Sequence, residues 1–189
     1  KPGQVDNARI ALVIGNGDYG SGTQDSQPFG PLKNPSNDAR LISASLENVG
    51  FEVKTLLNLD QKSMRLAIEE FGMHLKEVGP KAVGVFYYAG HGIQVDGQNY
   101  LIPIASDIRI KIDIRKKAIK ASFVLREISS AGNNMNLFIL DTCRENKSTN
   151  RGRLGIQGFK KMDAPAGSMV AFSTGSGDLA KDGPPGGNS

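Results

Sequence analysis

The sequence is poor in the residues that most often build disulfides and metal centres. Of its 189 residues one is cysteine and two are histidine, which excludes an internal disulfide and a metal site made of several cysteines. Long apolar runs are also missing, because no stretch approaches the roughly 20 residues of a membrane helix. The two histidines and the cysteine are therefore the first side chains to examine for chemistry.

Positive charge is present but modest, with 23 Lys and Arg, 19 Asp and Glu and a net charge of +4. The densest basic cluster, RIKIDIRKKAIK at 109–120, contains an acid and no aromatic residue. Because a nucleic-acid interface needs basic residues gathered on one face, we interpret this cluster as a solvated face. Neither nucleic acid nor a membrane is expected as a partner, and a lone free thiol slightly favours a reducing cytoplasm.

Gly15, Gly17 and Gly20 match a dinucleotide-binding pattern that follows an apolar run. In such a site the third glycine opens a helix whose N-terminus holds the pyrophosphate. Here Gly20 is followed by prolines, glycines and small polar residues, which exclude a helix before about residue 35. A nucleotide-binding α/β domain is therefore kept only as an alternative.

Strand and helix patterns alternate along the chain. Apolar runs predict strands at 9–16, 51–58, 82–89, 135–141 and 167–174, and an Asp-Gly turn predicts a hairpin at 93–104. Patterns of period 3.6 predict helices at 34–50, after Asp60 as far as Gly79, and at 120–132. This order predicts an α/β fold with a mostly parallel central sheet flanked by helices on both faces. Sites in such sheets form at the carboxyl ends of strands.

The cysteine and one histidine fall at neighbouring predicted strand ends. His91 lies between two glycines after the third strand, and Cys143 follows the fourth strand about fifty residues later. A thiolate beside an imidazole suits acyl transfer, with the backbone N–H groups of Gly92 and Cys143 as candidate oxyanion donors. The alternative for Cys143 is an inert buried thiol. His74 lies in the middle of a predicted helix, so we interpret it as a surface or boundary residue.

These residues and their surroundings resemble the caspase-like cysteine peptidases, and more narrowly the paracaspases and metacaspases. The matching segments follow one another along nearly the whole chain: IALVIGN, PSNDAR, GFEV, YYAGHG, NYLIP, ILDTCREN and APAGSMVAFST. The interval between His91 and Cys143 is also that of caspases. The resemblance implies a caspase–haemoglobinase fold and an endopeptidase in which His91 and Cys143 are the catalytic dyad.

The resemblance also implies a substrate preference. Paracaspases and metacaspases cleave after Arg or Lys through an acidic S1 pocket, whereas caspases cleave after Asp. Asp38 and Asp141 match acidic positions of this pocket, and two carboxylates suit a guanidinium group. Asp178 is expected as a third acid, with Asp182 as the alternative. A helix-dipole role for Asp38 and a structural hydrogen bond for Asp141 are the competing interpretations.

Under this interpretation residues 1–189 form a single peptidase domain. Its large-subunit part is 1–146, a basic exposed loop covers 147–163, and the start of a small-subunit part covers 164–189. An enzyme that cuts after Arg or Lys would be able to process itself in the 147–163 loop. The family continues with further helices and a last strand that often form a dimer interface, so we expect the small-subunit part to be incomplete and a homodimer to form through the remainder.

Protein or peptide substrates with a basic P1 residue are the expected partners. Metacaspases often need calcium, but the sequence has no dense acidic loop to hold this ion, so no metal or cofactor is expected. Two other functions are kept as alternatives. One is a catalytically silent scaffold of the same fold, and the other is a different cysteine hydrolase, such as an amidase, that needs no acidic S1 pocket.

Overall fold

The computed structural model describes residues 7–20, 29–143 and 159–173. The strands in this part of the chain are β1 (Arg9–Gly15), β2 (Glu52–Leu57), β3 (Val83–Val95), β4 (Gln98–Leu101), β5 (Ile119–Lys120), β6 (Met135–Cys143) and β7 (Ser168–Phe172). Five of these strands form a parallel sheet in the order β2-β1-β3-β6-β7. Beyond that sheet, β3 pairs antiparallel with β4, which pairs antiparallel with β5.

Four helices accompany the described strands: α1 (Pro35–Asn48), α2 (Gln61–Val78), α3 (Lys111–Lys117) and α4 (Ala121–Ser129). Helix α1 begins with Pro35, whose fixed backbone angle suits a first helical position. Helix α2 is capped by Asp60, whose carboxylate accepts a 2.8 Å bond from the Ser63 N–H. This bond to the charged form keeps the pKa of Asp60 below its usual value.

Apolar side chains cover both faces of the parallel sheet. On one face, α2 and α4 pack over Leu12, Phe86 and Phe138, and the last two rings stack with centroids 5.1 Å apart. On the other face, Ala39 of α1 packs with Val13 and Tyr87. Because side chains alternate across a strand, this division follows directly from the apolar runs. The predicted α/β class, with helices on both faces, is confirmed.

The structure differs from the sequence prediction in two places. Strand β3 does not end at residue 89 but continues to Val95 as the first strand of the predicted hairpin. Helix α3 and strand β5 were not predicted, and both lie within the basic cluster 109–120. Only Ile114 is buried among the seven residues of α3, so no repeat of apolar residues marks this helix. Within the described residues, no helix has the length and apolarity that crossing a membrane requires.

Candidate active site

The register of β3 and β6 sets the backbones of His91 and Cys143 side by side. The two strands pair residue by residue from Val83 with Met135 to His91 with Cys143. Neighbouring strands lie about 4.8 Å apart. Two residues that are distant in sequence therefore meet at the carboxyl edge of the sheet.

His91 is enclosed by residues of the loop that follows β1. Its side chain is 2% exposed, and its ring lies 4.5 Å from the Tyr19 ring and 5.3 Å from the Phe29 ring between centroids. The Nε2 atom lies 2.7 Å from the carbonyl oxygen of Gly30. The loop that follows β1 therefore borders the histidine through Tyr19, Phe29 and Gly30.

The Gly30 contact assigns the tautomer of the His91 ring. A carbonyl oxygen can only accept a hydrogen bond, so Nε2 carries the hydrogen and donates it. The neutral ring then has its lone pair on Nδ1. An imidazole held in this way can accept a proton at Nδ1 without turning.

Gly92 stands where β3 has joined β4. The Ile102 N–H donates to the His91 carbonyl at 3.0 Å, so His91 and Ile102 occupy the position of a hydrogen-bonded pair in the antiparallel ladder. Such pairs alternate with pairs that exchange no bonds, and the next pair is Gly92 with Leu101. The Gly92 N–H therefore points away from β4. On one side this residue is covered by Phe159, which is buried.

The two predicted acids lie on the α1 face of the sheet, at its carboxyl edge. Asp38 is in the first turn of α1 and is 6% exposed. Asp141 is half-buried on β6, and its Oδ2 accepts a 3.0 Å bond from the Tyr87 hydroxyl. The ring of Tyr87 packs in the α1-side cluster. Asp178 and Asp182 lie outside the described residues.

The glycine pattern at the end of β1 serves close packing and loop pairing. A Cβ at Gly15 would lie 2.4 Å from the carbonyl oxygen of Pro35, so glycine allows α1 to start directly against the strand. The N–H groups of Gly17 and Asp18 donate to Asn58 Oδ1 at 3.0 and 3.1 Å. Because this side chain uses the N–H groups that a phosphate would need, the arrangement does not favour the nucleotide alternative.

Sequence reasoning missed Tyr19, Phe29 and Gly30 around His91, and Tyr87 beside Asp141. Tyr19 and Phe29 are large rings in an otherwise polar, glycine-rich and proline-rich loop. Such isolated rings are a signal that a loop is anchored to the body of the protein.

Among the described residues, no group of three or more His, Cys, Asp or Glu side chains is arranged to hold a metal ion.

Comparison with known proteins supports the resemblance. A model of the caspase domain family matches residues 8–189. Human mucosa-associated lymphoid tissue lymphoma translocation protein 1 is 28% identical over 137 residues, and the match covers 72% of this chain. The mouse homologue is 27% identical over the same length. The chain spans only 15% of each of these relatives.

Among solved structures, the crystal structure of the Drosophila initiator caspase Dronc is similar to this fold. The TM-score is 0.57 with 10% sequence identity, and the match covers 87% of this chain and 54% of that one. At this identity the likeness concerns the fold alone. It confirms the caspase-type α/β architecture that the sequence predicted.

Proposed function

The chain belongs to the caspase domain family, and from this premise we propose that it is a cysteine endopeptidase that cleaves proteins after Arg or Lys. The observation that carries the proposal is the pairing of His91 with Cys143 on adjacent parallel strands. In this proposal His91 is the general base and Cys143 is the nucleophile. The relatives are matched over a small part of their length, so the activity is argued from this chain's own residues.

The orientation of His91 supports its role as a base. With Nε2–H bound to the Gly30 carbonyl, Nδ1 accepts the thiol proton of Cys143, and the thiolate attacks the scissile carbonyl carbon. When the tetrahedral intermediate collapses, the peptide C–N bond breaks and the imidazolium gives its proton to the leaving amine. Water then hydrolyses the thioester, releasing the acid and restoring the thiol.

The tetrahedral intermediate carries a negative oxygen that needs donors already in place. We assign this role to the backbone N–H groups of Gly92 and Cys143. The ladder geometry supports Gly92, because its N–H points away from β4. Glycine is required at this position because Phe159 and Thr142 fill the space that a side chain would need.

Asp38 and Asp141 are proposed as the acids that bind the basic P1 side chain, with Asp178 as a third. The support for Asp38 and Asp141 is their shared position on the α1 face at the carboxyl edge of the sheet. Two carboxylates on one side of a cleft can pair with both edges of a guanidinium.

Cleavage after Arg or Lys would also make the basic 147–163 loop a substrate, so we propose self-processing there; residues 147–158 lie outside the described part.

The first experiment compares fluorogenic peptides that differ only in a P1 Arg, Lys or Asp, with and without calcium, using Cys143→Ala as the control. We expect cleavage after Arg or Lys that the control lacks. Cleavage after Asp would leave the peptidase but overturn the S1 assignment, and hydrolysis of simple amides alone would indicate an amidase. If the protein cleaves no peptide, a silent scaffold becomes the better interpretation.

The same two proteins test self-processing by intact-mass analysis. Fragments that end at a basic residue of the 147–163 loop should appear in the wild type and be missing in Cys143→Ala. The same fragments in both proteins would exclude self-processing.

A further inference from the structure

Two tyrosine hydroxyls replace a main-chain hydrogen bond directly beside His91. In a regular antiparallel pair, the Ile102 N–H bond to the His91 carbonyl would be matched by a bond from the His91 N–H to the Ile102 carbonyl. Here the His91 N–H instead donates to the Tyr19 hydroxyl at 2.9 Å. That hydroxyl donates in turn toward the Ile102 carbonyl at 3.1 Å. Tyr19 is thus inserted into the β3–β4 ladder.

A second hydroxyl occupies the same opening. Tyr88 Oη lies 2.9 Å from both the His91 and the Ile102 carbonyl oxygens and 3.2 Å from Tyr19 Oη. Both tyrosines are buried, at 5% exposure for Tyr19 and 0% for Tyr88. A buried hydroxyl that loses its hydrogen-bond partner is costly. The network therefore fixes the distance between the His91 and Ile102 backbones.

The arrangement of the two hydroxyls requires a glycine at position 90. Its φ is +154°, and a Cβ at this position would lie 2.6 Å from Tyr88 Oη and 2.7 Å from Tyr19 Oη. Only a residue without a side chain leaves room for both hydroxyls at this position of β3. Within four consecutive positions, Tyr88 therefore supplies one of the hydroxyls, Gly90 leaves the space for both hydroxyls, and His91 follows directly.

Tyr19 touches His91 in two ways. Its hydroxyl holds the backbone N–H, and its ring lies against the imidazole at 4.5 Å between centroids. We propose that Tyr19 is a positioning residue that sets the place of the His91 ring relative to Gly30 and Cys143. This inference rests on the proposed role of His91 as the general base.

The substitution Tyr19→Phe keeps the ring and removes the hydroxyl. The strands then either close to form the direct bond or open to admit water, and each change moves the His91 backbone. A displacement of this kind is expected to lower kcat on the order of tenfold to a hundredfold. KM should stay within about twofold, because Tyr19 is not assigned to the S1 pocket.

Tyr100→Phe is the matched control. Tyr100 is 3% exposed and belongs to the same apolar cluster as Tyr19, but its hydroxyl lies in the field of Arg115 and Asp96, so this variant removes a tyrosine hydroxyl from the cluster without removing a bond to His91. Kinetics on the best basic peptide are compared for the wild type and both variants. The two histidines of the chain also give two imidazole signals in a long-range ¹H–¹⁵N spectrum, with the half-exposed His74 as the internal reference.

The expected result is a loss of kcat together with a change in the His91 tautomer ratio and titration in Tyr19→Phe alone, while the His74 signals stay unchanged. Unchanged kcat and unchanged His91 signals would overturn the inference, as would an equal loss in Tyr100→Phe. If the wild type cleaves no peptide, the proposed function fails. The imidazole signals then still decide whether Tyr19 positions His91.

Discussion

At the residue scale, a hydrogen bond from Tyr87 orients the carboxylate of Asp141. The Tyr87 hydroxyl donates to its Oδ2 at 3.0 Å, which fixes the carboxylate on the face of the sheet that α1 covers. A half-buried carboxylate held in one orientation can pair with a guanidinium that enters the proposed pocket. In the proposed S1 pocket Asp141 therefore supplies the charge, and Tyr87 supplies the orientation.

The pair Asp141→Asn and Tyr87→Phe separates charge from orientation. Asp141→Asn removes the negative charge, so kcat/KM for a P1 Arg peptide should fall about thirtyfold to several thousandfold. This factor corresponds to a loss of roughly 2–5 kcal/mol in transition-state stabilisation. Tyr87→Phe removes one hydrogen bond and should cost about 1 kcal/mol, or less than tenfold. Steady-state kinetics on P1 Arg and P1 Lys peptides measure both effects. Equal losses in the two variants would contradict the assignment of the charge to Asp141.

At the scale of elements, the segment 159–163 is attached to β4 by one side chain rather than by a strand ladder. Asn99 accepts from the Lys160 N–H at 2.9 Å and donates to the Lys160 carbonyl at 2.7 Å. The amide thus imitates a paired strand residue. The attachment places Phe159 over Gly92 and against Phe172, with ring centroids 6.1 Å apart. The segment that follows the basic loop therefore covers the proposed oxyanion position.

Removal of this attachment should loosen the segment. Asn99→Ala loses two partly buried hydrogen bonds, so we expect the free energy of unfolding to fall by about 1–3 kcal/mol. Trypsin cleavage after Lys160 and Lys161 should become faster at the same time. Urea denaturation and mass spectrometry of timed digests measure the two effects. The exposed Asn134→Ala is the control and should change stability by no more than about 0.5 kcal/mol; equal behaviour of the two variants would contradict the role of Asn99.

At the scale of the whole molecule, nearby acids compensate part of the positive charge of the basic cluster 109–120. Arg115 pairs with Asp96, and Arg109 pairs with Asp107 at 2.8 Å. The Asp113 carboxylate accepts bonds from two backbone N–H groups of the same cluster, which keep its pKa low and its charge in place. The face that α3 presents is therefore mixed in sign rather than uniformly basic.

This charge balance predicts no binding to duplex DNA at physiological salt, because a phosphate backbone is bound by positive charge that lacks local compensation. Gel-shift titration in about 0.15 M salt tests this. A variant that combines Asp96→Asn, Asp107→Asn and Asp113→Asn should gain salt-dependent binding. A salt-dependent shift of the wild type would contradict the interpretation of the cluster as a solvated face.

Much of the fold could be predicted from the sequence because its strands and helices leave local patterns. The run from Val83 to Ala89 is apolar on both faces, as a central parallel strand must be. Helix α2 shows a clear apolar repeat and the Asp60 cap. Helix α3 lacks such a repeat, since only Ile114 is buried, and it contacts the rest of the protein through the packing of Ile114 and the pairing of Arg115 with Asp96.

The sequence by itself determined the alternation of strands and helices, the family resemblance, and the position of Cys143 at the end of a strand; His91 lies within β3, which continues to Val95. The sequence did not determine which groups surround His91. The Gly30 carbonyl and the Tyr19 hydroxyl come from residues 61 and 72 positions away. The spacing of apolar residues along a helix or strand indicates only which of its residues are buried. The contacts around His91 depend instead on the path of a loop across the edge of the sheet. The tertiary structure alone therefore decided the tautomer of His91 and the hydroxyl inserted into its ladder.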